Sequence, residues 1–229
     1  MSTSKQNIAL ALLALAAWAS GGGSASALAQ DTAPRLPFGS VVVVLPVQSA
    51  LPSAGGAWPG DVPTHDEALR AMDAELAFAL AERRAAENWA MPDDLRRRVG
   101  RNPMIAVDPD RVAYQGLLAR PDRREQIYEP LHGELRALAA LFGTRFVVLP
   151  LRVRFAGADT GRPEAGPGPA STCADGVAPV RPELLLAVID IRRSAVLWHG
   201  TVQGQSACPE TGGLLAGLAA SVARQLTES

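Results

Sequence analysis

The sequence predicts an α/β fold: a single-layer mixed β-sheet with packed helices, in the order β-α-α-α-β-β-β-α. Three observations carry it. Ser40 to Val47 is an apolar, β-branched run without alternation, the pattern of a strand covered on both faces. Segments beginning near Thr64 and Asp122 place apolar residues three and four apart, the period of helices with one buried stripe. Glu183 to Ile191 and Ala195 to Gln203 are strand-like runs flanking Arg192, Arg193 and Ser194, which reads as a hairpin.

Taken in order, residues 1–29 read as an export signal. Lys5 precedes an apolar run from Ile8 to Trp18, and Ala27-Leu28-Ala29 is a suitable cleavage site. That run is too short to cross a hydrocarbon core of roughly 30 Å as a helix. A flexible lead over 30–38 and a single α/β domain over 39–229 are expected to follow. Cys173 and Cys208 are the only cysteines, so no cysteine follows the signal to carry a lipid anchor, and a periplasmic or secreted location is expected. The expected core is one compact unit.

The strand over 40–47 is expected to be central, and the Ser-, Ala-, Gly- and Pro-rich residues 48–63 to form a loop. Thr64 and Glu67 have the spacing of a capping box, and Leu69, Met72, Leu76 and Leu80 form the stripe of the helix that follows. Phe78 falls on the opposite side and predicts a second contact surface. Asn88 to Met91 reads as extended, and Pro92 as the first turn of a short helix closed by Asn102-Pro103. Residues 104–121 have no clear period. Asp122 and Glu125 open a helix carrying Ile127, Leu131, Leu135, Leu138 and Phe142, unless Pro130 marks its true start. Gly143 is its C-terminal cap. Arg145 to Phe155 is a strand in which Arg152 and Arg154 alternate with Leu151, Val153 and Phe155, so its far end has one wet face. Pro150 requires an edge or a bulge. Residues 157–181 form a long flexible loop, and a helix over about 211–226 ends the chain.

The hairpin brings position 208 opposite roughly 178, within loop reach of Cys173, and an oxidising compartment favours a Cys173–Cys208 disulfide. Two free thiols are the alternative. No metal is expected, because the cysteines lack a C-x-x-C or a nearby histidine cluster.

The formal net charge of −1 argues against a nucleic-acid partner. Lys5 is the sole lysine among many arginines, a bias of GC-rich bacterial genomes. No catalytic residue and no cofactor are expected. His65 sits in a first helical turn, His132 lacks the second histidine of H-E-x-x-H, and His199 is expected on a sheet face beside Leu197 and Thr201, opposite Trp198. Gly204 to Cys208 fails the nucleophile-elbow pattern at its last position. Asp108-Pro109-Asp110 resembles a carboxylate pair but reads as turn chemistry, as does Asp190. Gly212-Gly213 lacks the residues of a phosphate loop. The stretch with Arg83, Arg84, Arg96, Arg97, Arg98 and Arg101 is interleaved with acids and reads as a solvated face.

Val41 to Val47 before a helix, Phe146 to Leu149 after one, and Leu186 to Asp190 leading through a turn to Val196 to Gly200 resemble the anticodon-binding-like α/β domain of bacterial envelope proteins of the TolB N-terminal, CsgG and LpoB type. A strand ending in Asp that turns into one with Trp before a small residue is the shared feature. Arg192, Arg193 and Ser194 stand where a glycine-containing turn belongs. The resemblance implies a non-enzymatic module that docks onto envelope machinery and carries over no catalytic residue. The sequence therefore predicts an exported accessory or adaptor domain that binds another envelope protein, with Arg152 and Arg154 bordering the surface. The alternative is a small-molecule or glycan-binding protein, or a hydrolase, with its site between loops 48–63 and 157–181; clustering of His199, Asp190 or Asp108 in a pocket would mark it. A third reading is oligomerisation through the Phe78 side.

Overall fold

The computed structural model describes residues 36, 39–53, 58, 64–83, 86–119, 126–157, 173, 179–208 and 213–228. The expected export signal, the cap at Asp122 and Glu125 and nearly all of loop 157–181 lie outside the described residues. The elements are β1 (Val42–Val44), β2 (Ala50–Leu51), α1 (His65–Ala81), β3 (Trp89–Ala90), α2 (Pro92–Gly100), α3 (Gln115–Ala119), α4 (Leu131–Ala140), β4 (Phe146–Gly157), β5 (Val180–Asp190), β6 (Ala195–Gln203) and α5 (Leu214–Thr227). They build one mixed sheet in the order β3-β1-β4-β5-β6, with β2 paired to β4. Strands β1, β2, β3 and β4 run parallel, and β5 and β6 are antiparallel. The predicted fold class and order hold, with β2 added inside the expected loop 48–63 and the five-residue α3 added in 104–121, where the sequence shows no period.

The sheet divides the apolar residues into two clusters rather than one. On its first face Val42, Val44, Val148 and Val188 meet Met72, Leu76 and Leu80 of α1 and Leu218 and Val222 of α5. On its second face Val43, Leu45, Val147, Leu149 and Ile189 meet Leu95 of α2 and Leu131, Leu135 and Leu138 of α4. Residues 42–47 are buried throughout and feed both clusters, which is why β1 shows no alternation.

Local chemistry sets the element ends. The Thr64 hydroxyl accepts the Glu67 N–H at 3.3 Å, while the Glu67 carboxylate returns to that hydroxyl at 2.7 Å. Pro92 opens α2, and its missing N–H costs nothing in a first turn. Pro130 likewise stands at the N-cap of α4, so this helix starts there and not at Asp122. Gly143 takes φ +61° after α4, as its capping role requires. At the hairpin, Ser194 takes the left-handed φ of 53° that the resemblance reserves for glycine, at the end of a 3-10 turn over Ile191–Arg193. The small residue after Trp198 also has a cause: a Cβ on Gly200 would lie 2.4 Å from the indole Cζ2 of Trp198.

Phe78 does not pack between two neighbours but is 65% exposed. Pro150 sits at a bulge in a strand flanked on both sides, so the edge alternative falls. The bulge has a further effect. Val147, Leu149 and Leu151 face the second cluster, yet Val153 and Phe155 face the first. One inserted residue has exchanged the two sides of the strand. A second register shift, between Val188 and Ile189, lets Leu197 pack with Trp198 on the first cluster rather than beside His199 as alternation predicts.

Candidate functional site

Strands β1 and β3 are parallel neighbours, but α1 after β1 packs on the first face and α2 after β3 on the second. Helices leaving adjacent strands on opposite faces open a crevice at the carboxyl ends, the usual ligand position in such sheets. Here a cavity of about 540 Å³ is lined by Gln48, by His65, Asp66, Leu69, Arg70, Asp73 and Ala74 of α1, by Asp93 and Arg96 of α2, and by Asp110 and Arg111.

Arg96 is its centre. Its Nε donates to Asp110 Oδ1 at 3.0 Å, its Nη1 to Asp93 Oδ1 at 2.9 Å, and its Nη2 to both Asp110 and Asp73. Asp73 is 4% exposed and also accepts the Val47 N–H at 2.8 Å. Burial pushes the Asp73 carboxyl up to about 6, although the Val47 N–H and the Arg96 guanidinium pull the other way. Burial also works against the Arg96 cation, but the hydrogen bonds it donates to Asp110 and Asp73 outweigh it and hold the guanidinium above its ordinary value. Gln48 ties down the wall opposite: its amide donates to the Pro46 and Pro109 carbonyls and its oxygen accepts the Val112 N–H at 3.0 Å.

The opposite end of the sheet holds a second buried carboxylate. Asp190 is 1% exposed, accepts two N–H groups of the following turn from Arg192 and Arg193, and receives the Arg145 guanidinium in a two-pronged pair. The bond from Arg145, more than any other influence, holds its carboxyl below the ordinary value. Its role is that of a turn residue.

Arg152 and Arg154 stand on the second face of the sheet, turned there by the Pro150 bulge. The register lines up Leu51, Arg154, Glu183 and Gln203 in one row and Arg152, Leu185 and Thr201 in the next. Glu183 is buried and accepts Arg154 Nε at 2.6 Å and Gln203 Nε2 at 3.2 Å. Leu51 is 43% exposed, and Arg152 Nε is buried with no hydrogen-bond partner among the described residues. Cys173 and Cys208 form a disulfide beside the Val180–Ala207 bridge, one register step from the expected pairing.

The remaining predicted residues do not converge. Asp108 caps a turn by accepting the Asp110 N–H at 3.0 Å, whereas the Asp110 carboxylate goes to Arg96, so the apparent acid pair splits. His132 meets Ser194 at 3.0 Å, and Glu134 accepts the Ala113 N–H at 2.7 Å. His199 lies opposite Ala187 in the β5–β6 ladder, and Asp190 lies at the hairpin turn. Neither belongs to the crevice lining, and neither does Asp108. The arginine-rich stretch is not uniformly solvated: Arg96 enters the crevice, Arg98 lies over the Phe142 ring at 4.3 Å, and Arg97 pairs with Asp94. Sequence reasoning missed Gln48, Asp73 and Arg96. Asp73 had left a signal, a carboxylate four residues after Leu69 and three before Leu76, within the buried stripe of α1.

These features define a mixed-sheet α/β domain with a polar crevice at one end of its strands. No family model matches the chain, and no curated protein matches it. Solved structures similar to it include the PelC dodecamer from Paraburkholderia phytofirmans (14% identity, 85% of this chain and 94% of that one, TM-score 0.40). They also include the LpoB C-terminal domain from Salmonella enterica (12%, 76% and 87%, TM-score 0.34) and the lipoprotein GNA1162 from Neisseria meningitidis (19%, 83% and 99%, TM-score 0.36). Among the described residues no helix is long and apolar enough to cross a membrane.

Proposed function

We propose that the chain is an exported, non-catalytic accessory domain that docks another envelope protein on the second face of its sheet. The observation that carries this reading is the Pro150 bulge. Without it Arg152 and Arg154 would point into the apolar cluster under α1 and α5; with it they lie beside Leu51 and Leu185. A partner presenting carboxylates next to an apolar side chain fits that mixture, since guanidinium groups bind carboxylates two-pronged and their stems cover apolar surface. The Cys173–Cys208 bridge supports an oxidising compartment. Arg152→Ala with Arg154→Gln, which keeps an amide donor beside the buried Glu183, should abolish co-purification of the partner from crosslinked envelopes, with an unchanged circular-dichroism spectrum showing that the variant is folded. An unchanged partner yield would refute the surface.

A second reading has its own observation: the crevice is concave, polar and of a size that small-ligand sites have. It lies between α1 and α2 instead of between loops 48–63 and 157–181, and it makes the domain a small-molecule or glycan binder.

A further inference from the structure

The second reading can be made specific by asking which polar groups in the crevice are already committed. The carboxylates of Asp73, Asp93 and Asp110 all hold Arg96, and Asp66 meets His65 Nδ1 at 3.2 Å. Arg70 and Arg111 line the same cavity, are exposed, and have no side-chain hydrogen bond or ion pair among the described residues. The charged lining side chains with no ion-pair partner among the described residues are therefore two planar guanidinium groups, suited to a carboxylate or a phosphate. The committed network offers something different. A carboxylate oxygen has a second lone pair after accepting one bond from Arg96, and these lone pairs can accept hydrogen bonds donated by hydroxyl groups. Three carboxylates on one guanidinium would repel an anion placed against them, so an anionic group must sit away from the network, at Arg70 and Arg111. Gln48, fixed by three hydrogen bonds, ties one wall of the crevice to the backbone at Pro46, Pro109 and Val112. Leu69 and Ala74 add apolar surface between the charged groups, where the carbon face of a sugar ring can lie.

We propose that the crevice binds a small acidic carbohydrate, its carboxylate or phosphate taken by Arg70 and Arg111 and its hydroxyls by the Asp73–Arg96–Asp110 network. This rests on the small-ligand reading of the site.

The test is an amide-resolved NMR titration of the full mature chain with D-glucuronate, D-glucose 6-phosphate and neutral D-glucose. The acidic sugars should shift the signals of Arg70, Asp73, Arg96 and Asp110 saturably, with D-glucose weaker by about tenfold or more. Whichever acidic sugar binds tighter identifies the anion. Arg70→Ala with Arg111→Ala should reduce acidic-sugar affinity to that of D-glucose. Both side chains are exposed, so the thermal midpoint should stay put, and its measurement shows that the variant is folded. If D-glucose binds in the crevice as tightly as D-glucuronate and the double variant changes nothing, the small-ligand reading stands and the acidic class is overturned. If none of the three sugars shifts the crevice signals, both fall.

Discussion

The two ends of this sheet each bury an aspartate against an arginine and do opposite things with it. In the antiparallel hairpin, Asp190 receives two turn N–H groups and a two-pronged Arg145, and its carboxyl is held below the ordinary value. In the parallel half, Asp73 has one N–H and a shared Arg96, and burial pushes it up to about 6. A carboxylate with enough donors is a structural clamp; one short of donors is poised to change its charge. The hairpin is thus the closed scaffold, stapled by its disulfide, while the parallel half keeps an open polar crevice.

Removing the staple should have the largest effect. Cys173→Ser with Cys208→Ser frees a 35-residue separation and should lower unfolding free energy by about 3–4 kcal/mol, read by urea denaturation. Crevice amide signals should not move, because the loss lies in the hairpin. Asp190→Asn comes next, with an expected loss of about 2–3 kcal/mol at pH 7, since Arg145 loses its counter-charge and the oxygen that accepts its second prong, while Oδ1 still serves the turn. Gly200→Ala drives a methyl into the Trp198 ring and should cost about 1–3 kcal/mol, with a change in tryptophan fluorescence.

Asp73→Asn should be the mildest, within about 1 kcal/mol at pH 7, because the folded protein already disfavours the charge at that position. Its signature is in pH dependence. Asp73 titrates above its ordinary value of 3.8, so its protonation stabilises the fold, fully below 3.8, and that contribution is lost as pH rises through about 6. Asp190 is lowered, so its contribution is present above 3.8 and is lost as pH falls through its depressed value. Wild-type stability should therefore gain between pH 7 and 5 and fall in stronger acid. Asp73→Asn should erase the first limb and Asp190→Asn the second. If each variant erased the other's limb, the comparison would be reversed.

Much of this was legible in the sequence, for reasons that differ by element. Strand β6 is written in its own β-branched and aromatic residues, and the Thr64 cap and the apolar stripe of α1 rest on local rules. The disulfide followed from hairpin register to within one step. What escaped depends on contacts between distant residues. Asp110 and Arg96 are fourteen positions apart and Arg96 and Asp73 twenty-three, so nothing local distinguishes Arg96 from the exposed Arg97 beside it. Pro150 announced a bulge, but the bulge's consequence, that it exchanges the faces of Val153 and Arg152, requires knowing which residues cover each face. Phe78 marked a second apolar side of α1 that the fold leaves open.

The docking face is the central claim, and two exposed apolar residues test it most directly. A photo-crosslinking residue replacing Leu51, on the row with Arg154, should capture one stoichiometric envelope protein in intact cells. The same residue replacing Phe78, on the outer side of α1, should capture none. Capture from Phe78 and not from Leu51 would contradict the account and place the contact surface on α1.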